Sequence, residues 1–401
     1  MRRILFNQFH FVFFTLILFL FSSCSLEYYL KKGKVESRNF SKSLKFEYPN
    51  HLIIVNAKIA GKERRFLFDS GAPNVISKEL QEELQYKVKL RNGTKDSQGV
   101  RHILDFVYID EIEIAGVTVS KTIAAVSDLN ASEEIKCLNI DGIMGANLMA
   151  KLNWEIDYQK RIIHFSDSRA FEDQNQADIK LGFNPDFQKT PKIKLGLGSE
   201  IKNNITFDLG SNGGVHLKPE DLMNTFKQVK SYGWVNSALF GSAFDTVYFR
   251  YTNPLLMGNS SLGPYWIKCS ENSSRTIGNR VWDNFKVQLN YKDKVIYLHR
   301  QKDIQPSKEE FGFKLKYRNG QWIIATVIIE SQAYDYGLRP GDKVLELNEF
   351  NLSDADFEDY CEQFLSESLI PSGNDLRIKV LSGIDEEVLE LELFREEFFT
   401  F

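Results

Sequence analysis

The 401-residue chain is poor in the residues that most often advertise chemistry. It has four cysteines: Cys24 near the N-terminus, and Cys137, Cys269 and Cys361, an odd remainder with no close spacing. That pattern argues against a disulfide framework and against any cysteine-based zinc site. Its six histidines are scattered without ligand spacing, so neither a metal nor a cofactor is expected. Acidic and basic residues nearly cancel, 54 against 50, which is too little net charge to argue for nucleic acid or an anionic membrane surface. Proline is scarce at ten, while phenylalanine and tyrosine are plentiful at thirty-one and sixteen. Few breakers and many aromatics point to a mainly β globular protein. The length suffices for two or three domains with cores of their own.

The N-terminus reads as a targeting segment. Arg2 and Arg3 precede an apolar stretch from Phe9 to Phe21, broken by His10 and Thr15, and Ser22-Ser23-Cys24 follows. A basic start, a short apolar run and small residues before a cut form a secretory signal. With cysteine directly after the serine pair, residues 1–23 resemble a bacterial lipoprotein signal peptide. The resemblance implies lipidation at Cys24, a membrane partner through that lipid, and an extracytoplasmic place in the cell envelope, periplasmic or at the cell surface. An uncleaved membrane anchor is the alternative, and it too puts the rest of the chain outside the cytoplasm. Residues 24–44 then read as a tether.

From about residue 45 short alternating strands are broken by turns, as in Leu52-Ile53-Ile54-Val55 and Phe66-Leu67-Phe68, with Ala115-Gly116 marking a turn. Within this pattern one motif occurs twice. Phe66-Leu67-Phe68-Asp69-Ser70-Gly71-Ala72 is echoed by Ile205-Thr206-Phe207-Asp208-Leu209-Gly210-Ser211. Ile143-Met144-Gly145 ends 76 residues after Asp69, and Thr276-Ile277-Gly278 ends 70 residues after Asp208. When Gly145 is registered onto Gly278 the next twenty residues agree without a gap: Leu152 falls on Phe285, Ile156 on Leu289, Asp157-Tyr158 on Asn290-Tyr291 and Ile162-Ile163 on Val295-Ile296. This is an internal duplication of one β-rich lobe, over 45–170 and 178–302.

An Asp at the end of an apolar strand is costly to bury as an anion unless hydrogen bonds meet it. Glycine two residues later lets the chain turn tightly and aim backbone N–H groups back at the carboxylate. Ser70 and Ser211 can add hydroxyl donors. If two such loops face each other, the carboxylates cannot both ionise easily, and they share a proton. Such a pair can activate a water against a peptide carbonyl and protonate the oxygen that takes up the charge.

On these residues the chain resembles an aspartic peptidase of the pepsin/retropepsin type. Asp69-Ser70-Gly71-Ala72 matches the family's catalytic motif, and Ile143-Met144-Gly145 its downstream apolar-apolar-Gly segment. The resemblance implies two acid-protease β lobes, a catalytic pair Asp69 and Asp208 supported by Ser70, Gly71, Gly210 and Ser211, and a substrate-covering flap with Ser97 and Gly99 near its tip. The implied substrate is a peptide or unfolded protein. At Leu209 the sequence departs from the family, which uses a hydroxyl there to reach the opposite loop. That departure keeps open a peptide-binding protein of weak or no activity. A further alternative pairs the first lobes of two copies.

After a linker at Gln301–Glu310, Ser331-Gln332-Ala333, then Gly337-Leu338-Arg339-Pro340-Gly341-Asp342 and a strand ending at Asn348, resemble a bacterial PDZ domain over about 311–395. That resemblance implies recognition of a peptide C-terminus, with Phe311-Gly312-Phe313 as a carboxylate-binding loop.

Overall fold

The computed structural model describes residues 26–95, 101–168, 171–222, 227–238, 241–303 and 310–399. Cys24 and the expected flap residues Ser97 and Gly99 lie outside the described residues.

The protein is mainly β, and both lobes are built to one plan. In the first, the strand Lys62–Asp69 is polar and open at its start, and buried over its last four residues. The buried end lies between Ile54–Ile59, antiparallel, and Gly142–Gly145, parallel. A continuous apolar run suits this place because both faces are covered: Phe66 and Phe68 enter one core and Leu67 another. The hairpin Val88–Lys95 and Arg101–Ile114 pairs from Lys95↔Arg101 down to Val88↔Val107 and flanks the expected flap tip. Ala115 and Gly116, at φ 45° and 83°, turn the chain into Val117–Ser127.

The second lobe repeats the order. Glu200–Phe207 pairs in parallel with Thr276–Ile277, and the long hairpin Gln228–Ala238 and Gly241–Thr252 takes the place of the first lobe's hairpin. Each lobe then makes one helical turn, Ala146–Met149 or Asn279–Trp282. The indole of Trp154 donates to the Met149 carbonyl and that of Trp282 to the Ile277 carbonyl, both five residues back. The lobes meet in a six-stranded sheet whose central pair is Asn153–Asp157 against Phe285–Asn290. Trp154 faces Leu289 and Ile156 faces Val287, so each residue pairs with the other's duplicate. That exchange is the mark of a local two-fold axis.

Two expectations need correcting. Residues 24–44 are not a free tether over the described part. Residues 26–30 form a helical turn that buries Leu26 and Leu30 in the first lobe, Lys34–Val35 pairs with Val119 and Ser120, and Ser41–Lys45 is the outer strand of the interlobe sheet. Leu26 and Leu30 lie one helical turn apart, a signal too short to stand out from a polar stretch. Nor are the cysteines unpaired: Cys137 and Cys361 form a disulfide, and the odd thiol is the buried Cys269. Spacing gave no sign of this because the partners, 224 residues apart, come from different domains.

The C-terminal domain has its own core. Its order is strands Phe313–Arg318 and Gln321–Ile328, helix Gln332–Asp335, strands Lys343–Leu347 and Phe350–Asn351, helix Phe357–Ser366, and strands Asp375–Leu381 and Val388–Phe394. Asp342 fixes the Gly-Leu-Arg-Pro-Gly-Asp turn by accepting from the Arg339 and Gly383 N–H groups, at 2.7 and 3.0 Å. Phe311 and Phe313 are buried in the core, and the Gly312 carbonyl accepts from the Ile328 N–H at 2.7 Å. Their rings pack in this domain's core.

This domain straps both lobes. Gln321–Ile328 extends the second lobe's hairpin through Ser231↔Ile328 and Gly233↔Thr326. A Cβ at Gly233 would sit 2.1 Å from the Ala325 carbonyl oxygen, which explains the glycine. On the first lobe, the helix Glu133–Cys137 brings Glu134 to 2.5 Å from Lys316 and Lys136 over the Phe357 ring, beside the disulfide. Where all three parts meet, Glu367 contacts His51 at 3.2 Å and Arg280 at 2.9 Å, and His51 also reaches Asp283 at 3.0 Å.

Candidate active site

Asp69 and Asp208 come together in one chain. Each closes an apolar strand end and enters a loop that turns back on its own carboxylate. Asp69 Oδ1 accepts the N–H groups of Gly71 at 2.6 Å and Ala72 at 3.2 Å, and Asp208 Oδ1 accepts that of Gly210 at 3.0 Å. The two carboxyl groups stand close enough to interact side chain to side chain. The glycines have a second duty across the lobe boundary. A Cβ on Gly71 would lie 2.6 Å from Asp208 Oδ1, and one on Gly210 would lie 2.2 Å from Asp69 Cγ. Each loop can therefore approach the other's carboxylate only because it lacks a side chain there.

Burial raises the pKa of both groups. At Asp69 its two backbone N–H bonds work against the rise. At Asp208 burial is reinforced by the charge of Asp69, and the pKa stands well above the usual carboxylate range. Lys192, which donates to Thr206 Oγ1 at 2.8 Å and faces Asp186 at 3.5 Å, moderates that rise. The pair thus holds one proton, with the negative charge better supported on Asp69.

The expected hydroxyl donors act elsewhere. Ser70 is fully buried, and its Oγ donates to the Phe207 carbonyl at 2.6 Å and accepts the Leu209 N–H at 3.1 Å. It ties the first loop to the second rather than serving its neighbouring carboxylate. Ser211 Oγ accepts the Gly213 N–H at 3.3 Å and shapes its own loop. Leu209 makes no reciprocal tie; its side chain is buried in the shared core.

A residue not singled out in the sequence supports the second loop from beneath. Asn279 Nδ2 donates to the carbonyls of Leu209 and His51, both at 2.8 Å, and its Oδ1 accepts the Tyr158 hydroxyl at 2.8 Å. In the first lobe Ala146 holds the register position of Asn279, so comparison of the repeats marks the place without explaining it. In the first lobe the supporting amides are Asn74 and Asn147: the Gly145 N–H donates to Asn74 Oδ1, and the Asn74 N–H to Asn147 Oδ1.

The dyad lines a continuous cavity of about 980 Å³ that runs to the C-terminal domain, where Phe313, Lys314 and Lys316 border it.

Residues 55–148 match the model of a family described as aspartyl protease. The match takes in the Asp69 loop and ends just beyond Ile143-Met144-Gly145. No curated protein matches the chain. Among solved structures, the chain is similar to a retropepsin-like aspartic protease from Rickettsia conorii. The alignment spans 33% of this chain and 92% of that one, at 14% identity and a TM-score of 0.23.

Proposed function

We propose that the protein is an aspartic endopeptidase in which Asp69 and Asp208 activate water against a peptide bond. The observation that carries this is the pair of interacting carboxyl groups, Asp69 buried and Asp208 half-buried, on the floor of a large cleft, each on an Asp-x-Gly loop. In the ground state Asp69 bears the charge and Asp208 the proton. Asp69 takes a proton from water as its oxygen attacks the carbonyl carbon, while Asp208 gives its proton to the carbonyl oxygen. The resulting gem-diol collapses as the amine leaves, with the proton held on Asp69 passing to the amine nitrogen and a diol proton returning to Asp208. Water and peptide become acid and amine, and the dyad is restored.

The test is cleavage of an unfolded protein by the parent and by Asp69→Asn. The parent should cleave and the variant should lose at least about a thousandfold in kcat. Equal rates would remove the dyad from the mechanism. Leu209, where no hydroxyl ties the second loop back to the first, favours the rival reading of a peptide-binding protein without turnover; tight peptide binding by a parent that cleaves nothing would decide for it.

The order of elements in the C-terminal domain supports a PDZ-like unit that assists substrate or partner recognition. The N-terminal pattern around Cys24 supports lipid anchoring at the cell envelope. The Cys137–Cys361 disulfide fits an oxidising, extracytoplasmic compartment.

A further inference from the structure

The duplication supplies an internal control for every position in the cleft wall. In the first lobe the strand that follows the Asp loop, Val75–Ser77, pairs with Gly142–Gly145 so that Val75 faces Ile143, and in parallel with Val117–Ser127 so that Val75 faces Ala125. Val75 and Ala125 are buried in one apolar cluster and border the cavity. In the second lobe His216 faces Thr276, the duplicate of Ile143, so the matching pair on Val215–Leu217 and Tyr265–Cys269 is His216 and Lys268. Both line the cavity that holds the dyad, together with Ser273 and Ser274. The first lobe builds the same fold from a valine and an alanine, so the fold itself does not call for a histidine and a lysine here. Placing them in this half-buried wall costs desolvation, which an apolar pair avoids.

We infer that Lys268 and His216 form a subsite in the second lobe that binds a carboxylate of the substrate peptide. This inference rests on the peptide-cleaving reading of the cleft. Lys314 and Lys316 stand across the same cavity on the C-terminal domain, paired with Glu310 at 3.9 Å and Glu134 at 2.5 Å, which border it as well; the lysine charges still act on Lys268, and Asp245 offsets them in part. Burial, aided by the Lys314 charge, pushes Lys268 down to about 8, so it is still a cation at neutral pH and below. Burial and the Lys268 charge push His216 down to about 3, so it stays a neutral ring beside that cation and can offer a single N–H donor. A cation and a neutral donor side by side match the two oxygens of a carboxylate. The carboxylate can come from an acidic side chain near the scissile bond or from the C-terminus of the peptide.

The experiment compares kcat/KM for matched peptides: Glu against Gln at each position flanking the cleaved bond, and free against amidated C-termini. The parent should prefer one carboxylate-bearing member by about tenfold or more, mainly through KM. The Glu/Gln arm identifies a side-chain ligand, and the acid/amide arm a C-terminal one. Lys268→Ala, which copies the first lobe's pairing, should reduce that ratio to near one, and Lys268→Arg should restore most of it. Equal rates in both arms for the parent overturn the subsite, as does a ratio unchanged in Lys268→Ala. The same peptide pairs are titrated against Asp69→Asn, where the preference should appear in Kd. A parent that cleaves nothing, alongside an Asp69→Asn variant that still prefers the carboxylate, sinks the peptidase reading and keeps the subsite; equal affinities sink the subsite.

Discussion

Among the described residues Ser70 supplies a hydroxyl that joins the two aspartate loops, and Ser70→Ala tests how much that junction matters. The substitution removes an Oγ that donates at 2.6 Å to the Phe207 carbonyl and accepts at 3.1 Å from the Leu209 N–H, in a site with no exposure to solvent. Two buried backbone groups then lose that partner, at about 1–2 kcal/mol each, so we expect a loss of about 2–4 kcal/mol. For a unit of two lobes this is about 5–12 °C in Tm. The effect on catalysis should be larger than the stability loss suggests, because the dyad spans the loosened boundary; we expect kcat to fall about 10- to 100-fold. Thermal unfolding by calorimetry and cleavage of a reporter peptide read the two effects. Combining Ser70→Ala with Asn279→Ala adds a sharper arm, since Ser70 holds the Leu209 N–H and Asn279 the Leu209 carbonyl. The pair should be non-additive by about 0.5–3 kcal/mol. A Ser70→Ala protein that melts within a degree of the parent and keeps its kcat would show that the loops are held without this hydroxyl.

The raised pKa of Asp208 makes a signed prediction. A carboxyl group that holds its proton more tightly when folded contributes stability below its unfolded pKa, about 3.9, and that contribution is lost as pH rises through the folded value. Asp208→Asn should therefore match the parent in Tm near pH 3 and exceed it increasingly toward neutrality, a trend read by melting across a pH series; a constant difference would refute it. At His51 burial opposes the imidazolium, but the hydrogen bonds to Asp283 and Glu367 prevail and raise the pKa. Its stabilisation should be present below about pH 6.5 and fade above it. His51→Gln should flatten that slope, and a parent melting curve already flat across this range would sink the reading.

How legible the site was depended on how local each signal was. Asp69, Asp208 and their glycines were read from strand-end Asp-x-Gly motifs, and the gap-free register after Gly145 and Gly278 foretold the paired strands that join the lobes. The direction of the Ser70 hydroxyl was not readable, because its acceptor belongs to a residue 137 positions away. Asn279 escaped notice because its value lies in three partners, Leu209, His51 and Tyr158, that only the lobe interface assembles. The strand Ser41–Lys45 was hidden by its composition: a polar segment becomes a strand here because the edge of the interlobe sheet offers it hydrogen bonds. The His216–Lys268 pair shows itself only when the repeats are compared strand by strand in space, where Val75 and Ala125 give the apolar reference.

The bridge between Cys137 and Cys361 turns the polypeptide into a ring with two tails. The whole second lobe and the connection to the C-terminal domain lie on that ring, while the Asp69 loop lies on the tail before it. A single backbone cut anywhere between the two cysteines, whether by a protease or, on the proposed reading, by a second molecule of this protein, opens the ring without dividing the molecule. Both halves of the dyad would stay on one covalent particle after such a nick, and would part as separate chains only under reducing conditions.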